Sequence, residues 1–297
     1  MDSWLEGNSY IIYIDYMKKI NFIIIPLLLS FIFCIDESSK NIKQRTKLKY
    51  KVIQKFGENI EKLKATHINQ YEYDVNNNKI TDALYGIDTT LVYLKKYIYD
   101  KNNNKIETSF YNAKCKITEI DRLSKFIYKY DDDNNLIEES LYSSKGKLMR
   151  YHNYEYDDGK CILKSNFLAN GALSSTIRYI YDSKDNLTKQ YTYDGEGSLQ
   201  HTYKNKYDSK KNKIETYFYK KGSFMYDNYH KSKYDDNGNI IEKSFYNDDN
   251  ELVSSYSFLY DLNHNVIEEL EYSYKFEFGE LQKKLISKIA FKYEYYN

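Results

Sequence analysis

A chain of 297 residues with 44 Lys and Arg against 43 Asp and Glu, a formal charge of +1, has no surplus of base and makes no case for nucleic acid. Its 36 tyrosines and 14 phenylalanines raise aromatics to 17%, too many ring residues in regular alternation for a disordered chain. With 11 Gly and one Pro, frequent turns have to be made by Asn and Asp.

In chain order, residues 1–16 are an unusual extension ahead of a basic pair, which points to Met17 as the true start. Residues 17–35 read as an export segment: Met17-Lys18-Lys19, then a mostly apolar run over 20–33, then Cys34. The run is shorter than the ~20 residues a spanning helix needs. Cys34 stands where bacterial lipoproteins carry the lipid-bearing cysteine, although Ile32 and Phe33 are larger than that motif prefers. Ordinary secretion, an uncleaved anchor and a buried strand of a cytoplasmic protein stay open as alternatives. Residues 36–49, rich in Ser, Lys, Asn and Asp, read as a polar tether. Residues 50–70 read as a degenerate capping unit, with a helical face of Ile53, Phe56, Ile60, Leu63 and His67 as the alternative.

Residues 71–297 repeat. The pair Tyr-Asp recurs at Tyr73-Asp74, Tyr99-Asp100, Tyr130-Asp131, Tyr156-Asp157, Tyr181-Asp182, Tyr207-Asp208, Tyr234-Asp235 and Tyr260-Asp261, with a degenerate copy at Tyr293-Glu294. A period of about 26 residues signals an array of small units that bury surface only against one another. Each period has two turn signals. One follows Tyr-Asp (Asn76-Asn77-Asn78, Asn102-Asn103-Asn104, Asp133-Asn134-Asn135, Asn237-Gly238-Asn239) and the other precedes an apolar residue (Gly146/Leu148, Gly171/Leu173, Gly197/Leu199, Asn250/Leu252).

The segments between turns alternate with period two. Tyr-x-Tyr puts both rings on one strand face, while returns such as Ile106-Glu107-Thr108-Ser109-Phe110-Tyr111 put Ile and Phe on one face and Glu and Tyr on the other. No 3.6-residue stripe survives across the repeats. The expected fold class is therefore all-β, an antiparallel meander of eight or nine hairpin units. At roughly 4.8 Å per strand, 16 to 18 strands would make too wide an open sheet to stay flat. The expectation is a curled or spiral elongated sheet with Ile, Phe and Leu on its concave side and Tyr, Lys, Glu and Ser on the other.

The Tyr-x-Tyr-Asp copies at 71–74, 97–100, 128–131, 154–157 and 179–182 resemble the YD-repeat (RHS-type) proteins of bacterial surfaces and secretion systems. The resemblance covers roughly residues 71–293. It implies a β-rich shell; long members enclose a C-terminal toxin. Where members usually carry Arg-Leu after the first turn, this chain has Lys79-Ile80, Lys105-Ile106 and Asn239-Ile240.

Motifs for chemistry are sparse. His67, His152, His201, His230 and His264 fall in different repeats without metal-ligand spacing. The acidic stretch Asp131-Asp132-Asp133-Asn134-Asn135 lacks the Gly and Glu of a calcium loop, so turn chemistry explains it better. Glu138/Glu139, Glu268/Glu269 and Glu72/Asp74 invite comparison with glycosidase carboxylates, but strand neighbours point to opposite faces. Cys115 and Cys161 read as free thiols. No catalytic residue, metal or cofactor is expected. Tyr111, Tyr142, Tyr219 and Tyr246 project opposite the Ile/Phe face, as a stiffening ladder or as a surface for a protein or glycan. The functional expectation is a non-enzymatic exported repeat protein, tethered to a membrane by its N-terminal lipid or anchor. A component of a toxin or secretion system is the first alternative and an envelope hydrolase the second.

Overall fold

The structure, a computed structural model, describes residues 41–54, 61–113, 120–223 and 225–296. The extension 1–16, the export segment 17–35 with Cys34, residues 36–40 of the tether, and Cys115 lie outside the described residues. Eighteen strands follow one another: β1 (Ile42–Gln54), β2 (Glu61–Tyr73), β3 (Lys79–Gly86), β4 (Leu91–Tyr99), β5 (Lys105–Ala113), β6 (Ile120–Tyr130), β7 (Leu136–Ser143), β8 (Leu148–Asp157) and β9 (Lys160–Leu168) make the first half. The second half is β10 (Leu173–Tyr181), β11 (Leu187–Asp194), β12 (Leu199–Tyr207), β13 (Lys213–Lys220), β14 (Asn228–Tyr234), β15 (Ile240–Asn247), β16 (Leu252–Tyr260), β17 (Val266–Glu277) and β18 (Glu280–Tyr295).

Each strand pairs antiparallel with its neighbours in sequence, and β1 also pairs with β18, in the register Arg45↔Tyr293 to Lys51↔Ser287. The sheet is therefore a closed 18-stranded barrel. This corrects the expected open, curled or spiral sheet. The strand that closes it comes from residues read as tether and cap: 42–49 form the first part of β1, and β2 occupies much of 50–70. Closure removes the two unpaired edges that an open sheet would present to other chains. Beside the hairpin turns the register skips one residue; Tyr99 faces Lys105 while Ile98 faces Glu107, leaving Ile106 unpaired. Such bulges bend and twist a strand, and repeating them around the ring gives the curvature that closes it.

The turn after each full Tyr-Asp copy except Tyr156-Asp157 has one construction. The Asp74 carbonyl accepts from Asn77 N (3.0 Å), the Asp74 amide donates to Asn78 O (2.9 Å), and Asn77 has φ 62°. This is a three-residue loop ending in a left-handed residue, a conformation that Asn and Asp tolerate better than most. Asn103, Asn134, Asp185, Lys211, Gly238 and His264 take the same place. The Asp side chain locks the loop. Asp131 Oδ1 accepts from the amides of Asp133 (3.0 Å) and Asn135 (2.8 Å), and Oδ2 accepts from Asn135 Nδ2 (3.0 Å). Those bonds hold the Asp131 carboxyl below its usual pKa.

From the second pair onward, the Tyr fastens one hairpin to the one before. Tyr130 donates its hydroxyl to Lys105 O (2.9 Å), Tyr156 to Leu136 O (3.0 Å), Tyr181 to Cys161 O (2.9 Å) and Tyr260 to Ile240 O (2.8 Å). Tyr99, Tyr207 and Tyr234 do the same, and Tyr293 of the degenerate copy donates to Val266 O (2.8 Å). The recurrence of Tyr-Asp thus has a physical cause: Asp closes its own turn and Tyr ties that turn to its neighbour.

The two sheet faces follow from the register. One carries Arg45, Tyr71, Asp82, Lys95, Tyr97, Thr108, Phe126, Tyr128, Glu139, His152 and Tyr154, and continues through Thr216, His230, Phe245 and Glu271 back to Phe291 and Tyr293. Burial raises the pKa of Tyr97 and Tyr154 on this face and lowers those of His67, His152, Lys79 and Lys243. The opposite face holds exposed strand positions such as Lys96, Ile98, Arg178, Lys204, Lys231 and Lys233, so this face is the concave, inner one.

The inner wall differs from the expected Ile, Phe and Leu lining. Phe110, Phe126 and Phe245 do point inward, but beside them stand Tyr-x-Tyr pairs, lysines and histidines. Two of the isoleucines expected there, Ile106 and Ile241, sit at the unpaired bulge positions and are 36% and 39% exposed. The buried apolar side chains among the described residues are Ile68, Ala83, Tyr229 and Ile289. No dry hydrophobic layer forms. An 18-stranded ring at ~4.8 Å per strand and a ~40° tilt is roughly 36 Å across at the backbone, too wide for side chains to fill.

The outer wall carries ion pairs at matched positions of successive hairpins: Lys129–Glu138 (2.9 Å), Lys206–Glu215 (2.8 Å) and Lys233–Glu242 (3.1 Å).

Candidate binding wall

Just inside the Tyr-Asp rim, the inner wall from β1 to β6 carries a row in which cation and ring alternate. The Arg45 guanidinium lies 4.5 Å from the centre of the Tyr71 ring, and Lys79 Nζ approaches the same ring at 5.4 Å. Lys79 also lies 4.9 Å from Tyr97, which Lys105 meets at 6.0 Å; Lys105 then lies 4.5 Å from Tyr128. The order is Arg45, Tyr71, Lys79, Tyr97, Lys105, Tyr128, one residue per strand. Lys79 and Lys105 each open the strand that follows a Tyr-Asp turn, and the bulge beside them turns their side chains inward. A second tier continues deeper, with Lys95 5.5 Å from both Tyr93 and Phe110, and Lys47 5.8 Å from Phe291.

Ammonium groups over ring faces are attracted by the ring quadrupole, more strongly where water is thinned out. Burial lowers the Lys79 pKa, with the Asp82 carboxylate opposing the shift and the positive charges of Arg45, Lys95 and Lys105 adding to it. Asp82 is the inner-facing carboxylate among the described residues of β1–β5, and it is only 7% exposed. Its Oδ2 lies 3.7 Å from Lys79 Nζ, while Oδ1 is buried with no hydrogen-bond partner, as is Arg45 Nε. The wall is therefore positive, ring-lined and incompletely satisfied.

The outer tyrosines fall into two groups. Tyr246 stacks on Tyr229 (4.7 Å, 6°), and Tyr229 on Tyr217 (5.1 Å, 18°), with Tyr226 edge-on to Tyr229 and Tyr219 reached through Tyr226 (6.5 Å, 85°). Lys231 lies 5.7 Å from the rings of both Tyr229 and Tyr246, and Lys204 lies 4.3 Å from Tyr219. Tyr219 and Tyr246 thus belong to one cluster. Tyr111, with Lys96 at 5.7 Å, and Tyr142, opposite Lys125, stand apart from it on β5 and β7. All four are half-buried.

His67, His152, His201 and His230 all lie on the inner face, but on β2, β8, β12 and β14, as scattered round the ring as along the chain. His230 is pushed down to about 4 by burial and by the charges of Lys243 and Lys213. His264 instead takes the left-handed position of a rim turn. Glu138 and Glu139 point to opposite faces, Glu138 to Lys129 and Glu139 to the Tyr154 hydroxyl (2.9 Å). Cys161 is a half-buried free thiol. The row of cations and rings escaped sequence reasoning. Its signal was the strict alternation of Arg45, Lys47, Lys49 and Lys51 with Thr46, Leu48 and Tyr50, which belongs to a strand with a basic face.

No protein-family profile matches the chain. No curated protein matches it either. Among solved structures, it is similar to a porin-like protein from Bacteroides uniformis ATCC 8492 at 9% identity, covering 85% of this chain and 98% of that one, with a TM-score of 0.47. A porin-like protein from Bacteroides vulgatus ATCC 8482 matches at 12% identity over 86% and 99% of the two chains, with a TM-score of 0.26. The Photorhabdus luminescens Tc holotoxin pore matches at 13% identity over 79% of this chain, which spans 15% of that one, with a TM-score of 0.29. Likenesses this remote carry no argument about function.

Proposed function

We propose that the protein is a non-enzymatic, exported binding barrel, held at a bacterial envelope through its N-terminal segment and acting through its ring-lined walls. The observation that carries the binding reading is the inner row from Arg45 to Tyr128, where cations stand over ring faces and buried polar atoms lack partners. Structural needs alone do not explain it, because the Tyr-Asp clamps already fasten the hairpins. The export reading rests on Met17-Lys18-Lys19, the apolar run after it and Cys34.

A glycan and protein array probed with the full chain tests the binding reading. Wild-type protein should give hits that weaken in Tyr97→Leu and persist in the outer-wall double variant Tyr219→Ala/Tyr246→Ala. Hits lost only in the outer pair would move the site to the outer cluster, and an array with no hits would overturn the reading. Location is tested by membrane fractionation with and without a lipoprotein signal-peptidase inhibitor, and with Cys34→Ser. A cytoplasmic, soluble protein in every condition would overturn envelope attachment. The Tyr-x-Tyr-Asp copies favour a second reading, a component of an RHS-like toxin or secretion system. Co-purification with a toxin or secretion protein would support it.

A further inference from the structure

We infer that the row Arg45, Lys79 and Lys105, with Tyr71 and Tyr97 between them, binds an acidic glycan in which charged and uncharged sugars alternate. The inference rests on the binding reading above and names the ligand class. Three observations select it.

The first is charge. From β1 to β5 the inner wall carries Arg45, Lys47, Lys49, Lys79, Lys95 and Lys105, against the single described inner carboxylate of Asp82. The whole chain is nearly neutral, so this sector concentrates base that the outer wall pairs with glutamate. A ligand that meets it has to be anionic.

The second is spacing. Arg45, Lys79 and Lys105 stand on β1, β3 and β5, so successive cations are two strand widths apart, roughly 10 Å. A glycan charged on every second sugar presents its carboxylates at the spacing of two sugar rings, which suits that interval. A nucleic-acid strand carries a phosphate about every 3.4 Å along its axis, far denser than the row.

The third is what the rings offer. Tyr71 is flanked by Arg45 and Lys79, and Tyr97 by Lys79 and Lys105, so their faces are covered by cations. Nucleobase binding uses open ring faces, and at Tyr71 and Tyr97 two cations each compete for them. The Tyr71 and Tyr97 side chains have no hydrogen-bonded partner among the described residues, unlike the backbone-bonded hydroxyls of Tyr99 and Tyr130. Together with Asp82 Oδ1 and Arg45 Nε, both buried and unpartnered, they supply donors and acceptors for a hydroxyl-rich chain.

The test is titration of the full chain with hyaluronan oligosaccharides, in which a uronate alternates with a neutral sugar. Dextran, oligothymidylate and polyglutamate serve as comparison probes. Hyaluronan should bind at low salt and be released at 1 M salt, where the screening length falls to about 3 Å. The double variant Lys79→Gln/Lys105→Gln should bind about tenfold more weakly or worse, while Lys79→Arg/Lys105→Arg retains binding and shows that the wall still folds. Lys204→Gln/Lys231→Gln on the outer wall should leave affinity unchanged. No binding of hyaluronan, equal binding of dextran, or tighter binding of oligothymidylate or polyglutamate overturns the inference. An array hit that depends on Lys79 and Lys105 but is not an acidic glycan also overturns it, while leaving the binding reading standing; an array with no ring-dependent hit removes both.

Discussion

The two rims of the barrel use the same backbone loop and fill it differently. On the rim described first, every full Tyr-Asp copy except Tyr156-Asp157 leads into a three-residue loop closed by its Asp, and side chains of successive loops bond each other. Asn78 Nδ2 donates to Asn103 Oδ1 (2.9 Å), Asn104 Nδ2 to Asn134 Oδ1 (2.7 Å), and Lys160 Nζ to Asp185 Oδ1 (2.7 Å). On the opposite rim, the loops opening at Gly86, Ser143, Leu168, Asp194 and Asn247 have the same backbone bonds, yet their first residue varies. The β17–β18 turn there has only two residues, Phe278 and Gly279. The comparison separates two tasks. Making a hairpin needs only a left-handed third residue, whereas fastening each hairpin to the last is what fixes Tyr and Asp on one rim.

The sharpest way to break that comparison is to remove the closing strand. Deleting residues 42–54 exposes the edges of β2 and β18, and size-exclusion chromatography should show aggregation with loss of a cooperative melt. A monodisperse product with an unchanged Tm would mean the ring does not depend on its seam. Acid comes next. The folded chain holds His230 neutral down to about 4, so the unfolded chain takes up that proton first. Tm should therefore fall as pH drops from the ordinary histidine value of 6.5 toward 4, and His230→Asn should flatten that slope.

On the clamped rim, Asp131→Ala removes three hydrogen bonds from one loop. It should lower Tm by several degrees, more than Ser143→Ala, which removes a single bond to Lys147 N; equal losses would erase the distinction between the rims. Tyr130→Phe keeps the ring and loses only the bond to Lys105 O, which should cost about 1 kcal/mol in chemical denaturation. A smaller effect is expected for Asn103→Gly, at φ 62° where glycine is unstrained: it loses only the solvent-exposed bond that Asn103 Oδ1 accepts from Asn78 Nδ2, and should cost less than about 1 kcal/mol.

Strand and turn positions were legible because alternation and Asx-rich loops are local signals. Closure was not. It depends on the first strand, whose Lys and Arg residues face a wide, solvated interior and so read as a polar tether. Which face is concave was equally hidden: period two sorts Ile106 and Phe110 together, but the bulge lifts Ile106 out of the ladder while Phe110 stays inside. Of the candidate site, Tyr219 and Tyr246 were readable as outward rings. The row from Arg45 to Tyr128 was not, since it joins residues from six strands and depends on bulges that turn Lys79 and Lys105 inward.

The seam also places the described ends of the chain together, with the Tyr296 amide donating to Asn41 O (3.0 Å) and its hydroxyl to Tyr73 O (2.5 Å). A circle whose start and finish touch has no privileged beginning. Joining Asn41 to Tyr296 with a short linker and opening the polypeptide at a loop such as 143–147 should yield a permuted protein with the same cylinder, leaving both new tips on the opposite mouth for fusion or tethering.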